Sequence, residues 1–168
     1  MKGIYSKQTL KHFRSPHNFG EIKDADAVGE AGNIVCGDVM NLYLKIGKNK
    51  KGEEVIKEAK FKTYGCVAAI ATSSAITDLV RGKTIDEALK ISKDDIVKTL
   101  QGLPPIKIHC SVLATEALAE ALYQYLLKNK KKIPSELLKK HEIIEKSKRL
   151  INERYKQWIN LQKKLKNN

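Results

Sequence analysis

Met40, Leu42, Leu44 and Ile46 alternate with Asn41, Tyr43 and Lys45, the period of two that puts one face of an extended chain in a core and the other in water. A polar stretch from Gly47 to Gly52 follows, and behind it a second extended run from Val55 to Tyr64. Two such runs joined by a short, glycine-containing turn predict an antiparallel hairpin. Its apolar face must be covered, and the flanking sequence supplies helices to do so.

Ile4, Tyr5, Leu10 and Phe13 fall in helical register and predict a short first helix. It ends before Ser15-Pro16, because proline disfavours helical backbone in the residue preceding it. His17-Asn18-Phe19-Gly20 reads as loop. Asp24 to Asn33 is rich in Gly, Ala and acidic residues with neither period, which predicts an irregular connection into Cys36. Past the hairpin, Gly65 and Cys66 introduce an Ala-rich buried helix that reaches Leu79-Val80 and stops at Gly82. Thr84-Ile85-Asp86-Glu87 has the form of a capping box. A further helix from Ser92 to Leu100 is broken by Gly102-Leu103-Pro104-Pro105. Leu113, Ala117, Ala121 and Tyr125 mark the next, ending near Lys128.

Of the 168 residues 42% are hydrophobic, enough for one core without disulfide staples, and 3 cysteines close at most one bridge. No apolar run approaches the ~20 residues of a membrane helix. The start Met1-Lys2-Gly3-Ile4-Tyr5 is unlike a secretory signal, so a reducing cytoplasm is expected. The net charge of +13 lies mostly in the tail, where 13 Lys and Arg face 4 Glu from Asn129 onward. Pro134 suits a first helical turn there. Leu137, Ile144, Ile151, Trp158 and Leu165 then recur every seven residues, flanked by Leu138, Ile143, Leu150, Tyr155 and Leu161. Lys140, Ser147 and Arg154 occupy the second seam position a coiled coil would need. The stripe is therefore expected to pack on its own domain or a sister subunit, which divides the chain into a domain over 1–128 and a basic amphipathic helix over 129–168.

The cysteines stand at 36, 66 and 110, too far apart in sequence for a zinc ribbon or a ferredoxin run. A lone intracellular cysteine is usually a small buried hydrophobe, but the neighbours here are informative. Cys36 is followed by Gly37-Asp38, which places a carboxylate and flexible backbone beside a thiol, although the same residues would also make a plain Asx-type turn. Cys66 begins a helix, where unpaired amides favour thiolate, or tucks into the core. His109-Cys110 begins another, with Lys107 close by. Thiolate, imidazole and carboxylate all ligate a divalent metal.

Cys36-Gly37-Asp38, Phe61-Lys62-Thr63-Tyr64-Gly65-Cys66 with Ile70-Ala71-Thr72-Ser73-Ser74, and Leu103-Pro104-Pro105-Ile106-Lys107-Ile108-His109-Cys110-Ser111 closely resemble the IscU-type iron-sulfur scaffold family, which includes the N-terminal part of NifU. The resemblance covers about residues 1 to 128. It implies an α+β fold, a small antiparallel sheet of about three strands packed on one face by helices, to which the tail adds a C-terminal amphipathic helix. It implies a scaffold and sulfur acceptor, not a turnover catalyst. Cys36, Cys66 and Cys110 would be the thiolate ligands, with Asp38 and His109 as candidates for the fourth position or for controlling release. Cys110 would accept sulfur as a persulfide. The cargo would be a 2Fe-2S cluster, with 4Fe-4S as the alternative and zinc in the cluster-free form. The implied partners are a cysteine desulfurase of the IscS or NifS kind, an electron donor such as ferredoxin, and apo iron-sulfur acceptor proteins. Leu103, Pro104, Pro105, Ile106 and Lys107 resemble the peptide read by Hsp70 and J-protein chaperones, or simply form a rigid extended approach to His109 and Cys110. A homo-oligomer fits the same picture. Asn33-Ile34-Val35 stand before Cys36 where many relatives carry a small residue and a proline.

Two rival readings exist. A zinc-dependent sulfur carrier of the SufU type would hold zinc with Asp38, Cys36, Cys66 and Cys110, but that subfamily has an insertion between the second and third cysteines and lacks the histidine. A nucleic-acid-binding module would use the basic tail. Against it, Glu136, Glu142, Glu145 and Glu153 are interspersed with the bases, and no groove-reading motif accompanies them.

Overall fold

The computed structural model describes residues 4–33 and 37–166. In chain order these form α1 (Lys7–Arg14), β1 (Ala27–Gly32), β2 (Val39–Lys48), β3 (Glu54–Tyr64), α2 (Val67–Val80), α3 (Ile85–Leu89), α4 (Lys93–Thr99), a 3-10 turn (Pro105–Lys107), α5 (His109–Lys128) and α6 (Ser135–Lys166). The sheet has three antiparallel strands in the order β1-β2-β3. This is the α+β architecture the sequence predicts.

The alternation in β2 does what its period requires. Met40, Leu42 and Leu44 are fully buried, and opposite Leu42 and Leu44 in the register stand buried Phe61 and Ala59 of β3. Helices α2 and α5 cover this face. α2 is buried nearly all round, and its polar residues are satisfied internally: Thr72 Oγ1 donates to the Cys110 carbonyl at 3.1 Å, and Ser74 Oγ accepts from the His17 amide at 2.8 Å. The Thr84 capping box forms with both reciprocal bonds, and Ser92 caps α4 in the same way.

Two expectations need correction. Residues 24–33 are not irregular, because Ala27–Gly32 forms edge strand β1. The strand carries little β signal because α5 lies directly on it. A Cβ at Gly29 would fall 2.0 Å from the Ala117 carbonyl oxygen and 2.4 Å from the Ala121 nitrogen. In α1 the buried face is Thr9 and His12, whereas Ile4, ahead of the helix, is exposed and Leu10 and Phe13 are half-buried. Polar partners across the interface explain this: Thr9 Oγ1 donates to the Leu100 and Gly102 carbonyls, each at 3.3 Å, and His12 Nδ1 lies 2.8 Å from Ser74 Oγ.

α6 lies against its own chain. Leu137 and Ile144 are buried, and the His141 ring stacks on Tyr123 with centroids 3.7 Å apart. The side chains of Tyr155, Trp158, Leu161 and Leu165 lie outside the described residues. No helix among the described residues is long and apolar enough to cross a membrane.

Candidate functional site

Three segments meet at one corner of the sheet. The first leads into β2. Asp38 immediately precedes the strand and is buried, behind Gly37, whose φ of 74° is a left-handed conformation that suits glycine. Cys36 lies outside the described residues. The second segment is the junction of β3 and α2, where Cys66 is the N-cap of α2. The third is the start of α5, where His109 and Cys110 are the first two helical residues. Each helix thus carries a cysteine at its N-terminal end, where amide dipoles favour an anion.

The geometry joins what the sequence separates. Cys66 Sγ and Cys110 Sγ are 3.8 Å apart, and Asp38 Oδ2 lies 3.9 Å from the first and 3.7 Å from the second. At that separation the sulfurs are not bonded, since a disulfide measures about 2.0 Å. Asp38, His109 and Cys110 each offer a ligand atom within 4.8 Å of the others. Nε2 of His109 is buried with no hydrogen-bond partner among the described residues. A histidine that joins a carboxylate and a thiol in this way, with a second thiol 3.8 Å from the first, offers the donor types of a soft or borderline metal.

Gly65 escaped the sequence reading as a site residue. A Cβ there would lie 2.8 Å from Asp38 Oδ1, 2.9 Å from its Cγ and 2.7 Å from Ala69 Cβ. Its backbone φ is unremarkable, so glycine is required for close approach and not for the turn. The one available signal is a glycine directly before a helix-starting cysteine.

Lys107 stands over the site. Cys66 above all, assisted by Tyr5 and Cys110, raises the pKa of its ammonium against partial desolvation. Burial raises the pKa of the Tyr5 phenol, and Cys66 and Cys110 add to this while Lys107 opposes it. Leu103 packs with Ala68, Ala69 and Cys110 in a small apolar cluster behind the sulfurs. The segment Leu103 to Lys107 is not a uniformly extended approach. Pro104 is extended at φ −56°, ψ 140°, but Pro105–Lys107 closes a 3-10 turn, with the Lys107 amide donating to the Pro104 carbonyl at 2.8 Å. That turn leaves Ile106 76% exposed at the rim.

Fold and site together define a small α+β domain whose loop ends gather thiol, carboxylate and imidazole side chains of the kinds that ligate metals. The family model described as "NifU-like N terminal domain" matches residues 4–132, and the chain belongs to that family, in its IscU branch. It is 50% identical over 128 residues to the iron-sulfur cluster assembly scaffold protein IscU 1 of Archaeoglobus fulgidus, covering 76% of this chain and 80% of the relative. It is 44% identical over 133 residues to the iron-sulfur cluster assembly enzyme IscU of Drosophila melanogaster, covering 77% and 83%. Among solved structures it is similar to the N-terminal part of a nitrogen-fixing NifU-like protein from Brucella abortus. That match has a TM-score of 0.61 at 22% identity, covers 74% of this chain and 96% of that one, and supports the fold alone.

Proposed function

We propose that this chain is a scaffold on which an iron-sulfur cluster is assembled and from which it is passed to apo-proteins. The observation that carries the reading is the meeting of the Cys66 and Cys110 sulfurs with the Asp38 carboxylate within 3.9 Å at a corner of the domain. Cys36 would complete the thiolates, and Asp38 or His109 would hold the fourth position. Fewer than four thiolates suit cargo that must leave, because an oxygen or nitrogen ligand exchanges more readily than a fourth cysteine. The 2Fe-2S form is the simpler product for so few ligands. Zinc in the cluster-free protein fits the same S, N and O donors.

Sulfur would arrive from a cysteine desulfurase. The Cys110 thiolate attacks the terminal sulfur of the donor's persulfide, the donor cysteine leaves as thiolate, and two electrons from a ferredoxin-type donor reduce the transferred sulfur to sulfide. Cys110 is fully buried and Cys66 is partly exposed. Delivery to Cys110 therefore requires the Asp38 loop or the Pro105–Lys107 turn to move aside. The exposed Ile106 and its prolines would serve an Hsp70-type chaperone as a handle. The protein hands on its cargo and does not turn over a substrate, and its place of work is the cytoplasm.

The test is anaerobic incubation with iron, a desulfurase with cysteine, and reductant, followed by optical and Mössbauer spectra. Cys36→Ser, Cys66→Ser and Cys110→Ser should each abolish or cripple loading, and Asp38→Ala should slow cluster loss. A triple serine variant that loads fully would end the proposal.

A further inference from the structure

α6 begins beyond residue 132, where the match to the family model stops, yet it is fastened to the family's fold. Leu137 and Ile144 bury themselves, and His141 Nδ1 lies 2.7 Å from a carboxylate oxygen of Glu120, itself only 3% exposed. One heptad past Ile144 the same stripe reaches Ile151, where the helix meets β1. A methyl group built at Gly32 would stand 3.4 Å from Ile151 Cδ1, 3.9 Å from the Asp38 carbonyl oxygen and 4.0 Å from Val39 Cγ2. Gly32 pairs with Val39 as the last rung of the β1-β2 ladder. Beyond it the loop closes on itself: the Asn33 amide donates to the Asp38 carbonyl at 2.9 Å, and the Gly37 amide donates to the Asn33 carbonyl at 2.8 Å. Ile151 therefore sits on the base of the segment that carries Cys36 and Asp38.

We infer that Ile151 is a positioning residue for that segment, and that through it α6 sets how long the site keeps its cargo. The base of the loop has no side chain of its own at Gly32, and the end of a ladder at a sheet edge is where strands open most readily. Ile151 supplies the missing apolar contact from a helix held rigid by Leu137, His141 and Ile144. When the contact is lost, the two loop bonds open more often, the Asp38 carboxylate swings more freely beside the sulfurs, and the exchange route it offers bound metal is used more often, so the metal escapes faster. Only this last step rests on the scaffold reading.

The experiment has two arms. In the cluster-free full-length protein, hydrogen exchange at the Asn33 and Gly37 amides should quicken about 5-fold to 10-fold in Ile151→Ala and more in Ile151→Lys. Exchange in the middle of β3 should stay unchanged, and Ile151→Leu should restore the loop. Leu150→Ala, at a half-exposed neighbour, should do nothing. In the second arm, the half-life of a reconstituted cluster should shorten by a similar factor in Ile151→Ala. Loop exchange that does not respond, or that rises equally at every amide, would refute the brace. Faster loop exchange with an unaltered cluster lifetime would refute its effect on the site. A wild-type chain that takes up no cluster would refute the scaffold reading instead, and the brace would then be judged by exchange alone.

Discussion

The carboxylate of Asp38 reaches the two sulfurs only because the residue before Cys66 has no side chain. Gly65→Ala would drive a methyl group to 2.8 Å from Asp38 Oδ1 and 2.7 Å from Ala69 Cβ. The carboxylate is the more mobile of the two neighbours, so it would swing away from Cys66 and Cys110 first. We expect Gly65→Ala to cost about 1 to 3 kcal/mol in urea unfolding and to weaken zinc binding to the cluster-free protein roughly 10-fold or more in a chelator competition. In the Asp38→Ala background the stability cost should shrink, since one of the two clashing groups is gone, and a double-mutant cycle would read the coupling. This residue marks where sequence reading stops. Cys66, Cys110, Asp38 and His109 were legible because each carries a ligand atom beside a predicted loop end. Gly65 contributes the absence of an atom opposite a residue just ahead of β2, and nothing local encodes that. The buried Nε2 of His109, without a partner among the described residues, was equally invisible, because a histidine at a helix start satisfies itself as readily as it ligates.

At the scale of elements, the legible pieces were those whose burial has a period. β2 alternates cleanly, and α2 and α5 announce themselves by length and small apolar residues. β1 does not, since its inward positions are Ala27, Gly29 and Ala31 and its sequence offers no branched or aromatic residue but Val28. The reason lies in α5, whose backbone rests on the strand where any side chain at 29 would stand. Gly29→Ala would place a Cβ 2.0 Å from the Ala117 carbonyl oxygen, an overlap that only separation of helix and sheet relieves. It should cost about 3 kcal/mol, seen as a lower urea midpoint at unchanged slope. A cost below about 0.5 kcal/mol would mean that α5 does not rest on β1 in solution. The face of α1 was misread for the opposite reason. Thr9 and His12 are polar, and their partners, Leu100, Gly102 and Ser74, lie far along the chain.

Across the whole molecule the question is whether α6 belongs to the fold or hangs from it. Its composition suggests an appendage, with most of the chain's net positive charge placed after residue 128. Its packing argues for integration. The connection is tied down where Lys131 pairs with Glu54 of β3 and its ammonium lies 5.3 Å from the Tyr125 ring centroid. Glu120 accepts from Gln124 Nε2 at 2.8 Å and meets His141 at 2.7 Å, in a position almost sealed from water. Removing the imidazole would leave that carboxylate with the amide of Gln124 alone and would also strip the stacked face of Tyr123. His141→Ala should therefore destabilise the entire chain by about 2 to 3 kcal/mol, and Glu120→Gln, which removes the buried charge but keeps the shape, by less. The sole tryptophan, Trp158, lies in α6, so its fluorescence follows that helix, while the far-ultraviolet dichroism follows every helix of the chain. One coincident urea transition by both probes, shifted together in His141→Ala, is what a single cooperative unit produces. An earlier fluorescence transition in the wild-type chain would show α6 melting independently. It would make the division at residue 128 a thermodynamic boundary and remove the rigid support on which Ile151 depends.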